Sequence, residues 1–160
     1  MQSVHIIAVG RLKDKFYSDA CAEYIKRLKP FCKLEITEIP QTVMPDNPTA
    51  GEIAAALEKE AALINKKIPA NSLVAAMCIE GKQYSSVKFA KLFSDAALSA
   101  KSSVVFIIGG SCGLADEIKQ KADIKLSFSE MTFPHRLFRV MLLKQVYRAY
   151  QINAGTKYHK

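Results

Sequence analysis

Three stretches of this 160-residue chain combine residue types that can do chemistry. Residues 104–114, VVFIIGGSCGL, run an apolar segment into Gly109, Gly110, Ser111, Cys112 and Gly113. Residues 126–136, LSFSEMTFPHR, place hydroxyls and a carboxylate just ahead of His135. The last four residues, KYHK, hold Tyr158, His159 and Lys160. Glycine permits positive φ or close approach by another group, so the first stretch reads as a tight turn or a ligand loop. Its spacing matches neither G-x-G-x-x-G nor G-x-x-x-x-G-K-[ST], which disfavours dinucleotide and triphosphate sites. His135 follows Pro134 at a predicted helix start, where the dipole disfavours imidazolium and keeps a base neutral. The alternative for His135 is a ring that caps the turn. The tail offers an aromatic face for a splayed base, a titratable ring and a cation, or simply a frayed terminus.

Lysine and arginine total 23 against 15 acidic residues, a net charge of +8 that favours a polyanionic partner over an indifferent surface. Lys13, Lys15, Arg136 and Arg139 are candidates to track phosphates, each with a solvated surface charge as the alternative. The four cysteines, Cys21, Cys32, Cys78 and Cys112, form no C-x-x-C pair and read as reduced, buried thiols rather than metal ligands. No secretory signal is legible at the start and no apolar run approaches the roughly 18 residues of a membrane span, so a cytoplasmic location is expected.

The elements that must position these residues follow from periodicity. Residues 3–10, 33–40, 71–82, 103–110 and 124–133 read as strands, the last running into a loop, with strand three ending at Gly81. Helices are expected over about 13–29, 50–67, 85–100, 114–122 and 134–153. Thr49 and Glu52 have capping-box spacing, with Ile53, Leu57, Ala61 and Ile64 facing inward. Pro134 opens the last helix. Regular alternation of strand and helix argues for an α/β fold with a mostly parallel sheet flanked by helices. Ligands in such folds bind beyond the carboxyl ends of strands, where Gly81 and Gly109–Gly110 fall. The last helix has two apolar stripes, Val140, Leu143, Tyr147 and Tyr150, and Leu142, Val146 and Ala149. They fit either a helix packed on its own sheet and a second subunit, or a central core helix.

IIGGSCGL, LSFSEMTFPHRLFRVMLLKQVYRAY and YHK, with CIEGK upstream and IIAVGRLKD at the start, together resemble the RlmH family of SPOUT-class ribosomal RNA methyltransferases. The similarity covers essentially the whole chain. It implies one SPOUT methyltransferase domain over residues 1–160 with a C-terminal trefoil knot, acting as a homodimer in the cytoplasm without metal or membrane. It implies S-adenosyl-L-methionine as methyl donor. The implied acceptor is N3 of the pseudouridine at rRNA position 1915 in helix 69 of 23S rRNA, within the assembled 70S ribosome. The resemblance places the cofactor at Met77, where the family commonly has leucine, at Gly109, and at Phe128, Ser129, Glu130, Met131, Thr132 and Phe133. It brings Tyr158, His159 and Lys160 into the active site, with Lys160 standing where some members have arginine, and sets Lys13 and Lys15 near it. The competing expectation is a ribosome-binding or assembly factor that keeps the fold without catalysis.

Overall fold

The computed structural model describes residues 1–157; Tyr158, His159 and Lys160 lie outside them. Ten elements alternate strictly: β1 (Ser3–Val9), α1 (Lys15–Leu28), β2 (Lys33–Ile39), α2 (Ala50–Asn65), β3 (Ser72–Gln83), α3 (Ser86–Leu98), β4 (Ser103–Ile108), α4 (Asp116–Lys121), β5 (Ile124–Ser127) and α5 (His135–Asn153). The strands form one sheet in the order β2-β1-β4-β3-β5. All four pairings are parallel, so every strand delivers its carboxyl end to the same edge.

Period-two alternation divides the strand side chains between two cores. Val4, Ile6 and Ala8 of β1 join Val104, Phe106 and Ile108 of β4 on the face covered by α1, α3 and α5. Ile7 and Val9 join Val105 and Ile107 on the face covered by α2 and α4. Central β4 is buried at all six positions, which is why its sequence is an unbroken apolar run.

Local signals fix the helix ends. Thr49 Oγ1 accepts from the Glu52 amide at 3.2 Å and Glu52 Oε1 accepts from the Thr49 amide at 3.4 Å, completing the expected capping box. Ser85 caps α3 by accepting from the Lys88 amide. Pro134 is the N-cap of α5 rather than its first helical residue. In α2 the fully buried residues are Ala56, Glu60, Ala61 and Ile64, while Ile53 and Leu57 are only half-buried. The inward face is therefore rotated from the expected one, and Glu60 is tolerated on it because its carboxylate accepts from the Thr42 amide at 3.1 Å.

Strand β3 departs from the sequence reading. It pairs with β5 at Met77, bulges over the next four residues and pairs again at Lys82, both times opposite Leu126. Gly81 thus lies inside the strand, not at its end. A Cβ there would stand 2.7 Å from the backbone of Leu126, so glycine is required by strand approach rather than by a ligand. The bulge turns Cys78, Ile79 and Glu80 out of the ladder, as bulges beside functional sites commonly do. Of the cysteines, Cys21 and Cys32 are buried as expected, but Cys78 is half-buried and Cys112 exposed, and all four are free.

Helix α5 lies against α1 and α3, with Leu142, Leu143, Val146 and Ala149 fully buried. The Tyr147 and Tyr150 rings pack on the chain's own aromatics: Phe31 lies 6.1 Å from each, and Phe93 5.1 Å from Tyr150. The central-helix alternative therefore accounts for these tyrosines.

Gly81→Ala is expected to destabilise the protein by about 1–3 kcal/mol, because the obstructing atoms are backbone that cannot rotate away. A denaturant midpoint unchanged from the parent protein would contradict the close β3–β5 approach.

Candidate active site

The carboxyl ends of β3, β4 and β5 open into a cleft of about 430 Å³, within the range of small-molecule sites. Its first wall is the end of β3, where Met77 is buried in register with Ile108 of β4 and the bulge adds Cys78, Ile79 and Glu80.

The second wall is the glycine turn, residues 108–114. The Gly113 amide donates to the Gly110 carbonyl at 3.1 Å, and Gly113 adopts φ +78°. A Cβ on Gly109 would run into the Gly113 carbonyl. The glycines are thus demanded by the turn's own closure, and the closed turn is itself a wall of the cleft. Tight turn and ligand loop are one structure here.

The third wall runs from Leu126 to Phe133 and is organised by hydroxyls. Ser127 Oγ donates to the Ser129 carbonyl at 2.9 Å and accepts from the Ser129 amide at 3.2 Å, and Ser129 Oγ accepts from the Met131 amide at 3.0 Å. Phe128 is fixed by Phe138, with ring centroids 4.8 Å apart. Met77, Gly109, Phe128, Ser129, Met131, Thr132 and Phe133, the residues that the resemblance grouped, therefore meet around one space. Glu130 does not line it: its residue is exposed, and the turn carries it outside.

Lys119 was missed in the sequence. Projecting from α4 into the cleft, it donates to Glu80 at 2.6 Å. That hydrogen bond raises the Lys119 pKa and lowers that of Glu80, so both remain ionised and mutually neutralised. The two residues are 39 apart and only the bulge aims Glu80, so no local pattern announced the pair.

His135 lines the cleft from the start of α5. Burial pushes its pKa down, and the nearby charges of Arg136 and Arg139 push the same way. The direction agrees with the sequence reading, but these causes take the place of the helix dipole invoked there.

The arginines differ from expectation. Arg139 is 5% exposed, with Nη1 donating to Glu38 at 3.1 Å and Nη2 to the Gly10 carbonyl at 3.2 Å. A guanidinium so enclosed does not reach a phosphate, and its assignment to RNA is corrected to a structural one. Half-buried Arg136 donates to Asp14 at 2.6 Å. Lys13 and Lys15 are exposed as the sequence suggested, Lys15 paired with Asp19 on its own helix. Among the described residues, no group of three or more His, Cys, Asp or Glu side chains is arranged to hold a metal, and no helix is long and apolar enough to cross a membrane.

A parallel α/β sheet with a largely apolar cleft at its carboxyl edge, walled by backbone turns, has the form of the small-molecule sites that such sheets build beyond their strand ends. A family model described as "Predicted SPOUT methyltransferase" matches residues 2–159. Ribosomal RNA large subunit methyltransferase H 1 of Clostridium perfringens is 48% identical over 158 residues, covering 99% of both chains. Ribosomal RNA large subunit methyltransferase H of Clostridium botulinum is equally similar, with the same coverage. A probable methyltransferase from Bordetella pertussis Tohama I shares the fold at TM-score 0.59 with 14% identity, over 93% of this chain and 95% of that one. The chain belongs to the SPOUT methyltransferases and, among them, to the RlmH family.

Two measurements follow from this geometry. The His135 imidazole is expected to titrate below the usual value of about 6.5 by NMR. Because its folded pKa is depressed, the unfolded chain binds the proton more readily, and His135 lowers stability only as pH falls below that value. Separately, Arg139→Ala is expected to cost about 2–4 kcal/mol, since Glu38 and the Gly10 carbonyl lose their shared donor. A loss confined to RNA affinity, with stability intact, would reinstate the phosphate role.

Proposed function

We propose that this chain is an S-adenosylmethionine-dependent methyltransferase acting on N3 of the helix 69 pseudouridine, position 1915 of 23S rRNA, in assembled 70S ribosomes, as a cytoplasmic homodimer with a knotted C-terminal region. The observation that carries the reading is that the stretch matching the methyltransferase H relatives includes all three walls of one cleft.

The residues present suit the proposed donor. Met77, Ile108, Leu126 and Phe128 give apolar surface for a purine, and the turn at Gly109–Gly113 lets backbone approach it closely. When bound, adenosylmethionine supplies an electrophilic methyl whose transfer leaves a neutral thioether. The chain's own work is orientation and proton handling. The third wall is braced by serine hydroxyls and the glycine turn by its own backbone, and bracing from within the chain limits the entropy of alignment. An imide nitrogen must lose its proton to become a nucleophile, and His135, biased toward its neutral form at the cleft wall, is the described residue fitted to accept it. Tyr158, His159 and Lys160 are assigned to the acceptor side, with Lys160 countering charge that develops on the imide. Exposed Lys13 and Lys15 are assigned to rRNA phosphates, and the half-buried Leu137 and Met141 of α5 offer apolar surface to a second copy.

The test is methyl incorporation from labelled adenosylmethionine into 70S ribosomes lacking the modification, beside separate subunits and free rRNA, with the modified nucleotide mapped. Label at the helix 69 pseudouridine on 70S ribosomes is expected, falling at least about 100-fold on removal of residues 158–160. Cofactor binding and ribosome association without any label would instead establish the non-catalytic factor.

A further inference from the structure

Gln41, the second residue of the loop between β2 and α2, reaches the mouth of the cleft from a strand remote from its walls. Its Nε2 donates to Ser111 Oγ in the glycine turn at 2.8 Å. The next residue, Thr42, is anchored through its amide to buried Glu60 at 3.1 Å. The residue is exposed, yet its side-chain amide is held by the glycine turn, and the backbone next to it is held by α2 through Thr42.

Gly110 makes room for that amide, and Gly10 lies beside it. A Cβ on Gly110 would stand 3.3 Å from Gln41 Cδ, and one on Gly10 would stand 3.5 Å from Gln41 Oε1. The same Gly10 position lies 3.8 Å from His135 Nε2. The Gln41 carbonyl and the His135 ring therefore approach each other across the Gly10 position, beside the part of the cleft wall that Ser111 and His135 form.

A primary amide has two N–H donors and a two-lone-pair acceptor. With one donor engaged by Ser111, Gln41 keeps a second N–H and its C=O, side by side when the N–H given to Ser111 is the one anti to the carbonyl. That is the complement of a base edge carrying an N–H next to a carbonyl. When N3 of a pseudouridine faces the methyl donor, the ring still offers such an edge in N1–H and O2. Uridine lacks it, because its N1 carries the ribose.

We propose that Gln41 is the residue that distinguishes pseudouridine from uridine, its Oε1 accepting from N1–H and its remaining N–H donating to O2. The inference rests on the methyltransferase reading above and adds to it a specificity determinant. A site built to hydrogen-bond a substrate N–H leaves its own polar group unpaired when that N–H is missing, and so penalises the analogue.

The experiment compares kcat/KM on 70S ribosomes carrying either pseudouridine or uridine at the acceptor position, for the parent enzyme, Gln41→Met and Gln41→Ala. Adenosylmethionine affinity is measured alongside by calorimetry. The parent enzyme is expected to prefer pseudouridine, and both variants to narrow that preference at least about tenfold while binding adenosylmethionine within about twofold of the parent. Equal losses on both acceptors would make Gln41 a mere brace for the glycine turn and overturn the proposal. So would an unchanged preference, or a parent enzyme with none. A parent that binds no adenosylmethionine fails at the earlier step, and its calorimetric trace separates that failure from the loss of discrimination alone.

Discussion

The arrangement at the carboxyl edge of the sheet depends on one buried guanidinium. Arg139 joins the last helix to the Gly10 carbonyl at the end of β1 and to Glu38 near the end of β2. Glu38 also accepts from the Leu12 amide at 2.9 Å, and Arg136 reaches Asp14 in the same loop. A charge this enclosed is costly unless fully partnered, so helix, loop and both strand ends must be in place together. Asp14 illustrates the consequence. It stands at the N-cap of α1 yet makes no side-chain cap, because Arg136 takes its carboxylate. His135 sits one turn ahead of Arg139, so the guanidinium that positions the helix start also helps depress the histidine's pKa.

The cleft walls show the same economy of parts. The glycine turn is closed by its own backbone and the third wall by serine hydroxyls, so neither needs a ligand to take its shape. Rigidity of this kind matters for a displacement reaction, where small errors in alignment are expensive. It also explains why the walls need few large residues. Backbone and small side chains leave space, while Phe128, clamped by Phe138, supplies the broad apolar surface.

What the sequence disclosed was local. The alternation of strands and helices, the capping box at Thr49 and the placing of Gly109–Gly110 at a strand's carboxyl end follow from periodicity, cap chemistry and the strand-end rule, all legible within short windows, whereas Met77 and Phe128 joined them only through the family resemblance. Features set by distant pairing were not. The bulge in β3 exists because Leu126 pairs with both Met77 and Lys82, a matter of register with another strand. Arg136 and Arg139 looked like surface cations because their partners lie 122 and 101 residues away. Glu130 shares a stretch with the lining residues but faces out, since the turn at Ser127–Met131 sets its direction. The tyrosine stripe of α5 fitted a subunit interface and a core helix equally, because its partners Phe31 and Phe93 are distant in sequence.

Charge pairing ties the cleft to the chain's basic surplus. Around the site Lys119 is matched by Glu80, Arg136 by Asp14 and Arg139 by Glu38, while His135 is biased toward neutrality. Two unit charges at 4 Å interact with about 4 kcal/mol at the effective dielectric of a protein surface. An unmatched cation in the wall would therefore oppose the proposed sulfonium donor strongly, and pairing removes that opposition. The net charge of +8 must then act elsewhere on the molecule, and exposed Lys13 lies in the loop that Arg136 and Glu38 fasten, with Lys15 opening the helix that follows. Glu80, Asp14 and Glu38 thus keep the cleft compatible with the proposed cationic donor, and the last two also fix the basic loop at its border, where a polyanion can be drawn to the site without its attractor competing inside.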